Sequence, residues 1–387
     1  MTPEPFAHTL GRMVRLSLGG AVALGFARFA YALILPAMRA DLGWSFTLAG
    51  ALNAANAAGY LVGALAATRV AGRLGLPLTF AGGMVLTALA LLLTALVGAP
   101  AAVLTLRLAA GVGGALVFVS GGSLAALAVR AHPARSALLL GVFYGGAGLG
   151  ILLSALGLPP LLAAGDWRAA WAGLGAASLL ALGVAWPALR GEGGVGGAAR
   201  SSAPAPLAPL GWALAAYACF GVGYIAYMTF VVAFLRSVGE EHLVTVFWAV
   251  LGLAVIVSPA VWGRPATVLP GARAMGVQLL TLAVGATLPL LSTHPAALLL
   301  SGLLFGGSFL AVVTFTTVLT RRVLPEGAWG AGIAAFTVVF AAGQTLGPLL
   351  TGALSDTAGG LRLGLGASAA VLGLGAVLAW RQPGAAG

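Results

Sequence analysis

The stretch Gly25-Phe26-Ala27-Arg28-Phe29-Ala30-Tyr31 lies about halfway along an apolar run from Val14 to Pro36. That run meets the roughly 20 residues a helix needs to cross a hydrocarbon core, so Arg28 falls near mid-bilayer depth. An arginine there costs about 2.5–3.5 kcal/mol on insertion scales. It persists only where it faces other protein, water or a ligand. Much the same stretch returns as Phe220-Gly221-Val222-Gly223-Tyr224-Ile225-Ala226-Tyr227. A shift of 196 residues places Gly25 on Gly221, Ala30 on Ala226, Tyr31 on Tyr227 and Arg28 on Tyr224. The chain therefore reads as two copies of one unit, with a single charge near the seam.

Composition fixes the solvent. Of 387 residues, 60% are hydrophobic and only 7% charged, against about 25% charged in soluble domains. Such a chain cannot cover a water-facing surface, and bilayer lipid is its expected surrounding. The net charge is +11, and every base is arginine. Without a clustered basic patch this charge reads as cytoplasmic loops rather than a nucleic-acid surface, so no nucleic-acid partner is expected. The one cysteine, Cys219, allows neither an intrachain disulfide nor a zinc site built from cysteine pairs. Arg12 and Arg15 ahead of an apolar run resemble a signal peptide, but the run is too long for an h-region. A retained first helix is expected.

Twelve apolar segments can be drawn, at about 14–37, 45–68, 76–98, 101–129, 136–158, 167–189, 210–235, 243–262, 274–292, 296–320, 328–353 and 360–380. They are continuous Leu/Ala/Gly/Val runs rather than alternating ten-residue strands, so they read as helices and not as a barrel. With the N-terminus in the cytoplasm, thirteen arginines fall on the cytoplasmic side. Arg39, Arg168, Arg236 and Arg362 fall outside, and Arg28 and Arg107 lie within the membrane. This asymmetry supports both the helix count and the orientation, with both termini cytoplasmic. Residues 191–209, rich in Gly, Ala, Ser and Pro, read as a flexible cytoplasmic linker between a six-helix bundle at 1–190 and another at 210–387. The G-x-G-x-x-G at Gly191, Gly193 and Gly196 follows no strand and is linker composition. A second repeat, at a shift of 197, puts Val142-Phe143 on Val339-Phe340, Gly146 on Gly343 and Leu149-Gly150 on Leu346-Gly347. Internal repeats of this kind mark secondary transporters.

Further motifs carry a family resemblance. Helix 4 holds Arg107-Leu-Ala-Ala-Gly111-Val-Gly113-Gly114, and helix 5 holds Gly141-Val-Phe-Tyr-Gly145-Gly146-Ala-Gly148-Leu-Gly150. With Asp166-Trp167-Arg168 before helix 6 and Gly343-Gln344-Thr345-Leu346-Gly347-Pro348 on helix 11, the chain resembles the major facilitator superfamily. It is most similar to the bacterial YbfB/YjiJ-type subgroup. Two departures stand out. Gly146 occupies the usual proline position of the helix 5 motif, and Ala67 stands where the helix 2–3 loop usually carries an acid. The latter puts the family's charge lock between halves in doubt. The resemblance implies an all-α integral membrane fold of twelve helices in two pseudo-repeated bundles. It also implies that helices 1, 4, 7 and 10 line a central cavity. Arg28, Tyr31, Tyr224, Tyr227 and Thr314 are then the candidate substrate contacts. Arg107, Gly145, Gly146, Gly150, Gln344 and Pro348 are the gating or coupling candidates. For Arg107 a plain structural tie is the competing reading, and for the glycines close helix packing is.

No Asp or Glu falls in the interior of any segment. The partners left for Arg28 are helix carbonyls, the hydroxyls of Tyr31, Tyr224 and Tyr227, or an anionic ligand gripped bidentately. The expected function is secondary transport of a small organic solute, bearing a carboxylate or other anionic group, by alternating access across the bacterial inner membrane. Its site is expected near the midplane between the halves. The alternatives are a proton-linked exporter of apolar or cationic drugs and a non-transporting sensor or scaffold. Enzyme readings find no support. The four histidines are scattered, a Walker A loop is impossible without lysine, and no Gly-x-Ser-x-Gly elbow is present. No cofactor or metal is expected, and a monomer is the expected state.

Overall fold

The computed structural model describes residues 5–190 and 207–383. The Gly191–Gly196 motif and most of the expected linker lie outside the described residues. Among those residues every regular element is helical, and twelve helices are long and apolar enough to cross a membrane. They are α1 (Phe6–Leu42), α2 (Phe46–Leu74), α3 (Leu76–Thr94), α4 (Pro100–Ala131), α5 (Pro133–Ala164) and α6 (Trp167–Leu189). After the gap come α7 (Ala208–Ser237), α8 (Glu241–Ala266), α9 (Arg273–Leu291), α10 (Pro295–Val323), α11 (Glu326–Ser355) and α12 (Gly360–Trp380). The apolar runs thus correspond one for one to helices. The main difference is at the first, which begins at Phe6 instead of about residue 14, because a polar amphipathic turn precedes the apolar run.

The ends follow local chemistry. Gly43, at φ 64°, closes α1 in the left-handed conformation and donates its N–H to the Arg39 carbonyl, a stop that glycine adopts without strain. Asp166 caps α6: its carboxylate accepts from the N–H groups of Arg168 (2.7 Å) and Ala169 (3.2 Å). Partial desolvation alone would raise its pKa, but these backbone donors and the Arg168 side chain outweigh it and hold the carboxyl below its ordinary value. The helix exteriors are apolar, with Leu96, Leu156, Leu180 and Leu291 all more than half exposed, as lipid contact requires.

Two compact units divide the chain. One holds Met1–Gly43 and Ala55–Ala198, the other Trp44–Ala54 and Ala199–Gly387. In the first, α1 packs on α5 through glycines. A Cβ on Gly146 would strike the Ser17 carbonyl, and one on Gly150 would strike the Ala21 carbonyl and Gly25. In the second, α7 packs on α11 in the same manner. A Cβ on Gly221 would lie 2.9 Å from the Phe340 carbonyl, one on Gly343 would lie 2.8 Å from that of Ala218, and one on Gly347 would strike that of Val222. Backbones approach this closely only where the side chain is absent. The spacing repeat seen in the sequence is thus a repeat of helix contacts.

The second unit also contains the start of α2, through Ala54. The Asp356 carboxylate accepts hydrogen bonds from the N–H groups of Phe46 and Thr47, both at 2.8 Å, and from the Thr47 hydroxyl at 2.7 Å. It thereby caps a helix start 310 residues away in sequence. Asn53 Nδ2 donates to Thr229 Oγ1 at 2.6 Å. Gly50, also of α2, lies against the Pro348 carbonyl.

Candidate functional site

Residues Ala21–Phe29 of α1 form a π-helical segment. It closes with the Ala30 N–H on the Gly25 carbonyl, five residues back, at 2.8 Å. Wide turns of this kind are uncommon in helices and cluster at functional sites. All nine residues are buried. The segment is flanked on one side by α5, through Gly25 and Gly150, and on another by α4, where a Cβ on Gly114 would lie 3.2 Å from the Ala23 carbonyl. Arg28 sits near its end.

The helix 4 motif explains itself once these contacts are named. Gly111, Gly113 and Gly114 face three different helices. A Cβ on Gly111 would meet the Asn56 carbonyl and Tyr60 amide of α2. One on Gly113 would meet Thr87 and the Gly83 carbonyl of α3, and one on Gly114 would meet α1. Arg107 stands four residues before Gly111, one turn away on the same face. The close approach that Gly111 permits brings the Asn56–Tyr60 turn against it, and Asn56 Nδ2 donates to the Arg107 carbonyl at 3.1 Å.

Two guanidinium groups are therefore buried in the first unit, and they are held differently. The Arg107 side chain is 1% exposed. Its Nη1 donates to the Ala27 carbonyl. Its Cζ lies 4.8 Å from the Tyr31 ring centroid and 5.5 Å from that of Trp171, and those two rings stack at 6.3 Å. Trp171 is fixed in turn by Nε1–H donation to the Met38 Sδ at 3.3 Å. Arg107 is a brace that ties α4 to the residue before Arg28, its charge resting on two aromatic faces.

Arg28 has no such harness. The residue is 3% exposed, and its Nε and Nη2 have no hydrogen-bond partner among the described residues. Its cation contacts the Tyr60 ring, with Cζ 5.8 Å from the centroid. It also lies close enough to Arg107 for the two charges to repel. The acids of the described residues stand at helix ends and loops, where Arg168 pairs with Asp41 and Asp166.

In the second unit, Tyr224 occupies the position matching Arg28 in the repeat. Its ring stacks on Phe220 (4.7 Å), Phe340 (5.5 Å) and Phe309 (5.9 Å), and its hydroxyl donates to Gln344 Oε1 at 3.0 Å. Tyr227 stacks on Phe305 at 4.1 Å, and its hydroxyl pairs with Ser301, which donates to the Gly285 carbonyl at 2.6 Å. Thr314 is exposed and donates to the Ala311 carbonyl. Pro348 has no N–H to offer the Gln344 carbonyl one turn back. The structure thus gathers Arg28, Tyr31 and Arg107 in one unit, and Tyr224, Tyr227, Thr314, Gln344 and Pro348 in the other. Gly145 is buried in α5, about 100° around the helix from Gly146. Three participants were not singled out as site residues in the sequence: Tyr60, Trp171 and the Ala27 carbonyl. Tyr60 follows Asn56 by one turn, which is the spacing that places both against the Arg107–Gly111 face.

The comparisons with known proteins agree with this architecture. The nucleoside transporter NupG superposes with a TM-score of 0.71 at 13% identity, covering 96% of this chain and 97% of that one. The peptide transporter POT gives 0.74 at 16% identity, covering 96% and 93%. A bacterial homologue of the human lysosomal transporter Spinster, in an inward-facing and occupied conformation, gives 0.70 at 15% identity, covering 98% and 97%. At these identities the likeness is one of fold. No curated protein matches the sequence. The sequence model of the family described as "Uncharacterised MFS-type transporter YbfB" matches residues 20–380, and the chain belongs to that family of major facilitator superfamily transporters.

Proposed function

We propose that this protein is a secondary active transporter of a small organic anion, with Arg28 as the residue that meets the anionic group. Membership of a transporter family supports transport as the class of activity. The anionic substrate rests on one observation: a buried guanidinium with two donors that have no hydrogen-bond partner among the described residues, whose acids stand at helix ends and loops. A buried charge of this kind is held at a cost that a complementary ligand removes. We place the protein in the bacterial inner membrane with both termini in the cytoplasm, on the arginine asymmetry of its loops. The two six-helix bundles, 1–190 and 210–387, are taken to alternate access to the two sides, driven by an ion or solute gradient.

Flux into proteoliposomes tests the reading. Purified protein is expected to accumulate one or more organic anions from a mixed panel, and Arg28→Ala is expected to abolish that flux while the protein stays folded. Flux of cations or neutral drugs with no anion flux would replace this reading with that of an exporter. No flux of any solute would point to a sensor or scaffold on the same fold.

A further inference from the structure

The two donors left open on Arg28 are not an arbitrary pair. Nε and Nη2 form one edge of the planar guanidinium, with their N–H bonds parallel and coplanar. Both are buried, and neither has a hydrogen-bond partner among the described residues. One edge of a guanidinium presents two donors at the spacing of two oxygens on one carbon or phosphorus atom, which permits a bidentate grip. The same atoms on a lysine do not exist, because its ammonium is a point charge.

The neighbouring groups limit the donors the ligand can meet. Arg107 is already committed to the Ala27 carbonyl and to the faces of Tyr31 and Trp171. It contributes a fixed positive potential rather than a second open fork. One open fork offers two coplanar donors. A carboxylate presents two coplanar oxygens, whereas a phosphate monoester presents three in a tetrahedral arrangement with about −1.5 to −2 of charge at neutral pH. The Tyr60 ring lies against the guanidinium, its centroid 5.8 Å from Cζ.

Resting on the anion reading above, we infer that the substrate is a monocarboxylate bound side-on, its two oxygens accepting from Nε–H and Nη2–H of Arg28. Arg107 and the π-helical segment act as positioning elements: the bond from Arg107 to the Ala27 carbonyl fixes the peptide that precedes Arg28.

The test is ligand-induced thermal stabilisation of the purified full-length protein. The probes are a panel of water-soluble monocarboxylic acids, the primary amide of each acid, and phosphate monoesters of matched size. Long-chain fatty acids form a separate arm that distinguishes a lipid source of the carboxylate. On the wild-type protein at least one acid is expected to stabilise, with its amide at least tenfold weaker, because the amide loses the charge and one acceptor. Arg28→Lys is expected to weaken that acid at least tenfold although the charge is retained. Should Arg28→Lys fail to fold, the acid-versus-amide comparison on the wild-type protein decides alone. Equal binding of an acid by wild type and Arg28→Lys would overturn the side-on geometry and leave the anion reading standing. Stabilisation by phosphate monoesters without carboxylates would overturn the carboxylate and again leave the anion reading. Stabilisation by none of these anions would overturn both.

Discussion

At the scale of single residues, two buried arginines of the same unit do opposite work. Arg107 directs Nη1 and its charge into the protein, onto a carbonyl and two rings. Its role is positional, and Arg107→Met is expected to lower stability by about 1–3 kcal/mol, the usual cost of stranding a buried polar partner, seen as a lower unfolding midpoint. Because the Ala27 peptide would be freed, the midpoint gain produced by an Arg28 ligand should shrink as well. Tyr60→Leu is the milder change. It removes a cation–π contact of about 0.5–2 kcal/mol and should weaken ligand binding while the unfolding midpoint of the free protein moves little. Arg28 was legible from the sequence because mid-bilayer charge is expensive anywhere. The partners were not. Tyr31, Tyr224 and Tyr227 stand alike in the sequence as hydroxyl acceptors for Arg28, since a hydroxyl's partner depends on contacts far apart in the chain. In the structure Tyr227 is engaged with Ser301 and Tyr224 with Gln344, while the ring beside Arg28 is that of Tyr60.

At the scale of helices, glycine position carries information that composition hides. Gly141 and Gly146 lie on the same helix, five residues apart, and look alike in a run of glycines. Nothing lies within 4 Å of a Cβ built on Gly141, whereas one on Gly146 would enter the Ser17 carbonyl of α1. Gly141→Leu is therefore expected to be neutral within about 0.5 kcal/mol, as for surface changes generally. Gly146→Leu or Gly150→Leu should cost about 1–3 kcal/mol or more from overpacking, measured by thermal unfolding in detergent. The shifts of 196 and 197 residues made the α1/α7 and α5/α11 correspondences visible in advance, but not that α1 packs on α5 and α7 on α11. The π-helical segment was not visible, because Ala-Val-Ala-Leu-Gly favours no particular turn width, and its register is set by Gly25 meeting Gly150. The Asp356 cap was equally hidden, since it joins groups 310 residues apart. Asp356→Ala should cost about 0.5–2 kcal/mol, the range for a lost helix cap, and the effect should be visible as faster hydrogen exchange at the amides of Phe46 and Thr47.

At the scale of the whole molecule, the determining feature is how nineteen bases and eight acids are apportioned among loops. In the topology that the sequence implies, the twelve helices alternate across the bilayer, so one labelled loop fixes the side of every other. Thirteen arginines on one face and four on the other predict which face remains in the cytoplasm, since arginine-rich short loops are retained there during insertion. The single native thiol, Cys219, lies within α7 and is only part-buried, so mapping starts from Cys219→Ala. On that background Ser237→Cys and Thr357→Cys, exposed at the end of α7 and just after α11, should react with a membrane-impermeant maleimide in intact spheroplasts. Ala134→Cys and Glu326→Cys, exposed at the starts of α5 and α11, should react only after permeabilisation. The inverse pattern would reverse the orientation while leaving the helix count untouched. A mixed pattern, with Ser237→Cys and Ala134→Cys reacting from the same side, would mean that a span between them fails to cross, and the pairing of repeats would fall with it.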